Sequence, residues 1–430
     1  MNSLIVLIGK TILLFSRILN LGSGSTWPGH VALKLDADFI EHTLNKSRLK
    51  IILVTGTNGK TTTVKLLQSI LEKAGKKIFV NFSGANLTNG VASSIIQKSD
   101  LKGKLNYEYA IFEIDENTLP LVIKQLKPDY LIALNLFRDQ LDRYGEVNSI
   151  AKMWKSNYNK LYKTKYILNA DDPQIAYLGS GILSKVYYFG LNDQKYQTHQ
   201  VQHAADSVLC PSCGQRLDFK RVYFSHLGIW KCPKCGLSRP PLDIEKTKFY
   251  PLKGTYAVYD TLAAVLTAKI IGINENVIEH ALTDFKPAFG RQEEVTLDGK
   301  KIQLFLSKNP TSFNESLKTI SEQNPKNLLI VLNDRIPDGT DISWIWDVEF
   351  EMLTNKHIKL FLAGDRVYDL ALRLKYSLKR NGKAYSVFEN LNEAVKIAVS
   401  QTAPNHKLYI LPTYSAMLEV RGILTGKKIS

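Results

Sequence analysis

Short apolar runs alternate with longer segments whose apolar residues recur at helical spacing, and this rhythm organises most of the chain. Ile51–Thr55, Ala110–Ile114, Tyr130–Leu134 and Tyr166–Leu168 read as strands, each a brief and nearly continuous apolar stretch. Helices are expected after Lys60, around Leu119–Gln125 and from Val147. That alternation predicts an α/β fold in which helices cover a parallel sheet. The segment at about 197–241 breaks the rhythm: it is polar and ends in Arg239-Pro240-Pro241, as an insertion would. Tyr256–Ile271 resumes the core as a helix. From about Arg291 a second series begins, with Ile302–Leu306, Asn327–Leu332, Ile358–Leu362 and Leu408–Leu411 as strands, and reads as a separate, Rossmann-like C-terminal α/β domain. The expected division is an N-terminal segment 1–48, a central domain 49–290 and a C-terminal domain 291–430.

Size and charge narrow the picture. A chain of 430 residues, 44% hydrophobic, is too long for one core and suits two or three domains. Its 56 Lys and Arg against 40 Asp and Glu leave +16, which favours polyanionic partners: nucleic acid, nucleotides, pyrophosphate-bearing substrates or an anionic membrane. The apolar stretch Leu4–Leu21 is interrupted by Lys10 and Arg17 and is followed by no clear small-residue cleavage site, so it suits neither a spanning helix nor a signal peptide. It reads as an amphipathic helix, packed on the protein itself or lying on a membrane surface. A cytoplasmic protein, at or near the inner face of the cell membrane, is expected.

All four cysteines fall in two knuckles, Cys210-Pro-Ser-Cys213 and Cys232-Pro-Lys-Cys235. Four thiolates at this spacing match a tetrahedral, closed zinc site, which would be structural, and Gly214 and Gly236 suit the tight turn after each pair. Two disulfides or a redox pair are the competing readings. If zinc takes all four, no cysteine remains to serve as a nucleophile.

The most informative run is Ile51-Ile52-Leu53-Val54-Thr55-Gly56-Thr57-Asn58-Gly59-Lys60-Thr61-Thr62-Thr63, a strand entering a glycine-bearing loop and then a helix. Such a loop presents backbone N–H groups to phosphates, Lys60 can reach the β- and γ-phosphates, and Thr61 can ligate Mg²⁺. Val54 stands where a general P-loop carries its first glycine.

Gly56-Thr57-Asn58-Gly59-Lys60-Thr61-Thr62 resembles the shortened phosphate loop of the Mur ligases and folylpolyglutamate synthases. Other pieces follow in that family's order. Phe112-Glu113-Ile114-Asp115 resembles the strand whose glutamate binds a second Mg²⁺, Leu168-Asn169-Ala170-Asp171-Asp172-Pro173 the strand-end turn, and Phe289-Gly290-Arg291-Gln292-Glu293 the hinge whose arginine contacts ATP phosphate. The departures matter as well. Gln140, within Arg138-Asp139-Gln140-Leu141-Asp142-Arg143-Tyr144-Gly145, replaces a metal-binding histidine, and Ala257 and Asp260 occupy the stretch where relatives carry an adenine-contacting asparagine.

These departures, the zinc ribbon, Gly84-Ala85-Asn86-Leu87, Lys308-Asn309-Pro310, the Asp338–Asp347 run and Leu411–Met417 are similar to one branch of the family, the synthetase subunits of lipid II isoglutaminyl synthase. The resemblance implies a Mur-ligase-like central P-loop domain and a ligase of peptidoglycan synthesis. It would use ATP and Mg²⁺ to convert the D-glutamate α-carboxylate of lipid II to D-isoglutamine, with ammonia from a GatD-like glutaminase partner. It implies ATP contacts from Gly56, Thr57, Asn58, Gly59, Lys60, Thr61, Thr62 and Arg291, Mg²⁺ at Thr61 and Glu113, and substrate contacts at Asn86, Asp139 and Gln140. Lys308 is the candidate for steadying an acyl-phosphate. Asp347 is the candidate acid completing the partner's Cys–His pair, with Asp341 as a rival; two tryptophans beside Asp347 suit an interface, and capping of a helix at Val348–Leu353 is the competing structural role. A Mur-type ligase adding an amino acid and a zinc-ribbon nucleic-acid-binding protein are the remaining alternatives; the branch itself implies no nucleic-acid partner.

Overall fold

The computed structural model describes residues 2–18, 26–47, 49–81, 86–139, 147–158, 161–198, 202, 205–354, 357–378 and 385–426. Three helices come first: α1 (Asn2–Ile18), α2 (Trp27–Leu35) and α3 (Phe39–Leu44). The chain then alternates as the apolar pattern predicts, through β1 (Lys50–Thr55), α4 (Lys60–Lys73), β2 (Ile78–Val80), α5 (Thr88–Lys98), β3 (Tyr109–Glu113), α6 (Leu119–Leu126), β4 (Tyr130–Ala133), α7 (Val147–Tyr158), β5 (Lys165–Asn169), α8 (Pro173–Leu178) and β6 (Val186–Phe189). Among the described residues these strands form a six-stranded sheet in the order β2-β3-β1-β4-β5-β6, with every pair parallel. Both faces are covered, which is why β1 and β4 read as unbroken apolar runs. Ile5, Ile40, Phe112 and Trp154 belong to the core on one face; Ile52, Leu67, Leu262 and Phe224 belong to the other.

The hairpin β7 (Asp218–Phe224) and β8 (Leu227–Lys231) carries the cysteine ribbon, and α9 (Thr255–Ile271) and α10 (Glu275–Thr283) return the chain to the first sheet. The second sheet follows: β9 (Arg291–Leu297), β10 (Lys300–Phe305), α11 (Pro310–Ser321), β11 (Asn327–Val331), two short 3-10 turns at Ser343–Asp347 and Phe350–Leu353, β12 (Lys359–Ala363), α12 (Val367–Ser377), β13 (Tyr385–Val387), α13 (Leu391–Ser400), β14 (Lys407–Pro412) and α14 (Tyr414–Thr425). Its order is β13-β12-β11-β14-β10-β9, parallel except for the β9–β10 hairpin. That hairpin turns at Asp298-Gly299, both at positive φ, as a tight two-residue turn demands.

The N-terminal helix packs on the protein: Ile5, Val6 and Leu13 are buried in the first core, and Gly9 lies against Ile96 of α5. No helix among the described residues is long and apolar enough to cross a membrane.

Candidate active site

The parallel topology brings the carboxyl ends of β1, β3 and β4 side by side, and the phosphate-type loop leaves β1 at this point. Val54 is still a paired strand residue, opposite Glu113 of β3, so the loop proper begins at Gly56. Asn135, just beyond β4, fixes that loop: its carbonyl accepts from Thr57 N at 3.0 Å, its side chain accepts from Asn58 N at 2.9 Å, and its amide donates to the Asn58 carbonyl at 3.0 Å. Gly59 has φ +89°, and a Cβ there would collide with the Asp260 carboxylate, so only glycine fits where α4 begins.

Lys60 is buried, its ammonium held by the Gly56 carbonyl at 2.5 Å and by the Glu116 carboxylate at 3.0 Å. Burial alone would push its pKa down, but Glu116, Asp115 and Glu113 outweigh that and the net shift is upward. For Glu116, burial pulls upward and is outweighed by Lys60 and Lys308, so its carboxyl lies below the ordinary value. Thr61 donates to Glu113 at 2.8 Å. The two oxygens of that bond form a hard, partly buried donor set of the kind Mg²⁺ selects. The Asn81 side chain brackets Glu113, accepting from its N–H at 2.8 Å and donating to its carbonyl at 3.0 Å.

The second sheet approaches the loop through the N-terminus of α11. Asn309 caps this helix by accepting from Ser312 N at 2.9 Å, and its amide reaches Asn58 Oδ1 at 3.1 Å. Lys308, one residue earlier, forms an ion pair with Asp139, which is buried. Burial raises the Asp139 pKa; Lys308 opposes this only in part. Lys308, Asp139, Arg138, Asp341 and Asp347 line one cleft. A neighbouring cavity runs from Asn58, Gly59 and Thr62 to Arg291, between apolar Phe224, Leu252 and Leu306. Asp260 and Glu315 also line it, each nearly fully buried with one carboxylate oxygen unpartnered. Burial drives both pKa values up, that of Glu315 to about 7.

The cysteine ribbon borders the same region. The four sulfurs lie within 4.8 Å of one another, with Cys210–Cys235 at 3.6 Å and Cys213–Cys232 at 3.5 Å. A tetrahedral zinc with its usual sulfur bonds places sulfurs about 3.8 Å apart, so the set fits. Nor is any disulfide formed, and the ribbon's own core is small: Cys210, Leu217, Trp230 and Cys232, with Ala176 of α8. Beyond it, the hairpin tip enters the main core, where Phe224 and His226 pack against Phe137 at ring distances of 5.3 and 4.8 Å. Phe137 exchanges hydrogen bonds with the Thr57 hydroxyl, and Asp206 accepts from Arg138 N at 2.9 Å and pairs with its guanidinium at 2.5 Å. The ribbon therefore braces the loop that carries Arg138 and Asp139.

The structure thus gathers Gly56 to Thr62, Glu113, Asp139, Arg291, Lys308 and Asp347 around two adjoining hollows. Asn86 joins them through its carbonyl, which accepts from Asp115 N at 3.2 Å. Gln140 lies outside the described residues, as do Gly84, Ala85 and the remainder of its own run to Gly145. Several expectations need correction. Asp347 does not cap the following turn: that turn begins at Phe350, with Glu349 at its cap position, while Asp347 ends the preceding one and faces Arg138 at 3.4 Å. Trp344 is partly buried and packs on Phe313 at 5.5 Å, while Trp346 is half exposed, 6.0 Å from Tyr376. Asp341 is engaged locally, accepting from Ser343 N at 2.8 Å. Sequence reasoning missed Glu116, although an acidic run after β3 was its signal, and Asn135 and Glu315, which had none.

Comparison with known proteins is specific. Residues 54–226 match the Mur ligase middle domain, and residues 306–417 match the MurT ligase C-terminal domain. The subunit MurT of the glutamine-hydrolysing lipid II isoglutaminyl synthase from Streptococcus pneumoniae is 33% identical over 430 residues, covering 95% of this chain and 94% of that one. The chain belongs to the MurT family. Its MurT relative from Staphylococcus aureus is 33% identical over 82% of this chain and 83% of that protein. The fold is also that of a pseudomurein peptide ligase type C from Methanothermus fervidus (TM-score 0.66, 22% identity, covering 90% of this chain and 80% of that one). MurF ligase from Thermotoga maritima, solved in complex with ADP, has a TM-score of 0.62 at 13% identity, covering 91% and 82%. A MurT-family chain with a Mur-ligase-like fold, a cysteine ribbon and a C-terminal α/β domain is what the apolar rhythm and the motifs predicted.

Proposed function

We propose that this chain is the synthetase subunit of a lipid II isoglutaminyl synthase in peptidoglycan synthesis: it activates the D-glutamate α-carboxylate of lipid II with ATP and converts it to the amide with ammonia. The observation that carries this reading is the meeting of Lys60, Glu113 and Thr61 from one sheet with Lys308 from the other. A carboxylate and a triphosphate repel, so their reaction needs cations on both sides and groups that hold them in line. One carboxylate oxygen attacks the γ-phosphorus, the bond from that phosphorus to the β,γ-bridging oxygen breaks, and ADP departs. Ammonia then attacks the acyl carbon, its bond to the phosphate oxygen breaks, phosphate leaves, and the nitrogen gives up a proton to solvent. Lys60 exchanges Glu116 for phosphate oxygens, Arg291 adds charge along the nucleotide cavity, and Lys308 neutralises the acyl-phosphate. Thr61 and Glu113 hold Mg²⁺, which supplies charge neutralisation on the phosphates. Asn86 and Asp139 contact the stem peptide, as would Gln140. The four cysteines hold a structural zinc.

The division at 1–48, 49–290 and 291–430, with the ribbon inserted at about 197–241, lets the C-terminal part close over the loop and exclude water from the acyl-phosphate. Ammonia comes from a GatD-like glutaminase, since this chain's cysteines are all in the ribbon. Exposed Tyr368, Leu372 and Tyr376 stand at i, i+4 and i+8 on α12, and Tyr376 meets Trp346, the neighbour of Asp347 in the chain. Aromatic anchors around an accessible acid suit a partner whose Cys–His pair that acid orients. The protein works in the cytoplasm, at the inner face of the membrane that holds its substrate. The test is sustained ADP release: turnover beyond one equivalent per chain must require both lipid II and a nitrogen source, ammonium or glutamine plus partner. Equal turnover with a free amino acid in place of ammonium would make the chain a Mur-type ligase instead.

A further inference from the structure

Helix α1 is apolar on two opposite faces, with Ser3 and Lys10 on one flank between them. Its inner residues Ile5, Val6, Gly9 and Leu13 face the protein, yet Leu4, Leu7, Leu14 and Phe15 are 61%, 50%, 58% and 55% exposed. At about 100° per residue these four fall within one arc opposite the inner set, with Thr11 between them. The stripe continues at Leu101, 64% exposed, in a loop tied to α1 by a hydrogen bond from Ser3 Oγ to the Lys102 carbonyl. A contiguous stripe of this size on a protein surface marks a contact, and a helix apolar on both faces is one whose outer face meets something apolar.

Charge identifies what that is. From Met1 to Leu35 the chain carries Lys10, Arg17 and Lys34 and no acidic residue at all. Lys98, Lys102 and Lys104 surround Leu101, and the one acid there, Asp100, is turned into its own loop, accepting from Lys102 N and Lys104 N at 2.9 and 2.8 Å. Leucine and phenylalanine flanked mainly by cations match an anionic bilayer: the side chains enter the headgroup and acyl boundary while the lysines meet lipid phosphates. With its inner face packed on the protein, α1 would lie along such a surface rather than cross it.

We propose that the outward face of α1 is a docking surface for an anionic lipid bilayer. This deepens the functional reading above and rests on it for its purpose, because a lipid-anchored substrate would then be met at its own surface. The connection to the active site is direct: α1 packs on α5, which begins two residues after Asn86, and the Asn86 carbonyl holds Asp115, beside Glu113 and Glu116.

The full chain with its partner would be sedimented with vesicles of phosphatidylglycerol and phosphatidylcholine, and with vesicles of phosphatidylcholine alone, at low and high salt. The wild type should bind the anionic vesicles, less so at high salt, and bind the neutral ones weakly. The double variant Leu7→Glu/Leu14→Glu, both positions exposed and outside the active site, should melt as the wild type does. It should bind about a hundredfold more weakly, each buried leucine being worth about tenfold or more. Equal binding by variant and wild type, or no binding to either vesicle, overturns the proposal. So does a concentration-dependent dimer, seen by sedimentation velocity, that the two substitutions abolish, because a second copy then covers the face. Amidation of a soluble, lipid-free precursor separates the two readings. If the wild type amidates it but ignores vesicles, only the docking surface fails; if it binds vesicles but amidates nothing, the function fails.

Discussion

Lys60→Ala is expected to do two separable things, because the ammonium that would meet the γ-phosphate is, without nucleotide, the partner of a buried acid. The Lys60 and Glu116 side chains are 7% and 6% exposed and 3.0 Å apart. Removing one member of such a pair strands the other, at a cost of about 3–5 kcal/mol. In a protein of this size that lowers the melting temperature by roughly 10 °C. The pH dependence has a definite sign. The folded pKa of Glu116 is depressed, so in the wild type the pair's contribution is present above the unfolded glutamate value of about 4.3 and is lost as pH falls through the lower folded value. In Lys60→Ala the stranded carboxyl titrates above its ordinary value, so the gap between variant and wild type should narrow as the medium becomes acidic. Adding Glu116→Gln removes the stranded charge and should restore most of the melting temperature. It should not restore catalysis, since losing a cation aimed at the transferring phosphoryl group costs roughly a hundredfold or more in rate. Thermal melts across pH and ammonium-dependent amidation, on both variants, separate stability from chemistry. If Lys60→Ala melts like the wild type, the pairing argument fails; if the double variant amidates at wild-type rate, Lys60 is not a phosphate contact.

Other expectations follow from the same geometry. The folded pKa of Glu315 is raised to about 7, so the native state holds a proton the unfolded chain has released, and stability should fall as pH climbs from about 4.5 to about 7. Glu315→Gln should remove that loss, raising stability by about 3 kcal/mol at pH 7.5 and by nothing near pH 4.5; parallel melting curves at the two pH values would count against it. Cys232→Ser should release zinc on metal analysis and lower the melting temperature, and because Phe224 and His226 brace Phe137, it should also weaken ATP binding; freshly purified wild type without zinc would refute the ribbon. Asp347→Asn should abolish amidation from glutamine while sparing amidation from ammonium. Equal loss from both nitrogen sources would place Asp347 in the synthetase instead, through its contact with Arg138.

Much of the fold was legible because buried parallel strands are simple sequence objects. Ile51–Thr55 and Asn327–Leu332 could hardly be anything else, and the structure places strands at Lys50–Thr55 and Asn327–Val331. What escaped were edges. β9 runs through Gln292-Glu293-Glu294, alternates its burial and pairs with one neighbour, so its only clear signal was the Asp298-Gly299 turn. The three-residue strands β2 and β13 are edges too: β2 is apolar but too short to stand out, and β13 is apolar only in part. In the active site, the loop and its metal-type ligands were readable because phosphate binding fixes residue types at short spacing. Long-range partners were not. Nothing local to Lys308 names Asp139, 169 positions away, and nothing in α11 says that Glu315 would be buried with one oxygen unpartnered. Such contacts arise only when two sheets are brought edge to loop, which spacing along a chain does not encode.

The central claim is that ATP and ammonia turn a carboxylate of lipid II into an amide on this chain. Its most direct test is mass spectrometry of the stem peptide after incubating the chain with ATP, Mg²⁺, lipid II and isotopically labelled ammonium. The account predicts one labelled nitrogen per peptide, at the α-carboxyl of D-glutamate, formed only with ATP and without the partner; with glutamine as the source, the same product should require the partner. An unlabelled, unchanged stem peptide despite ATP turnover, or a product carrying an added amino acid, would contradict it.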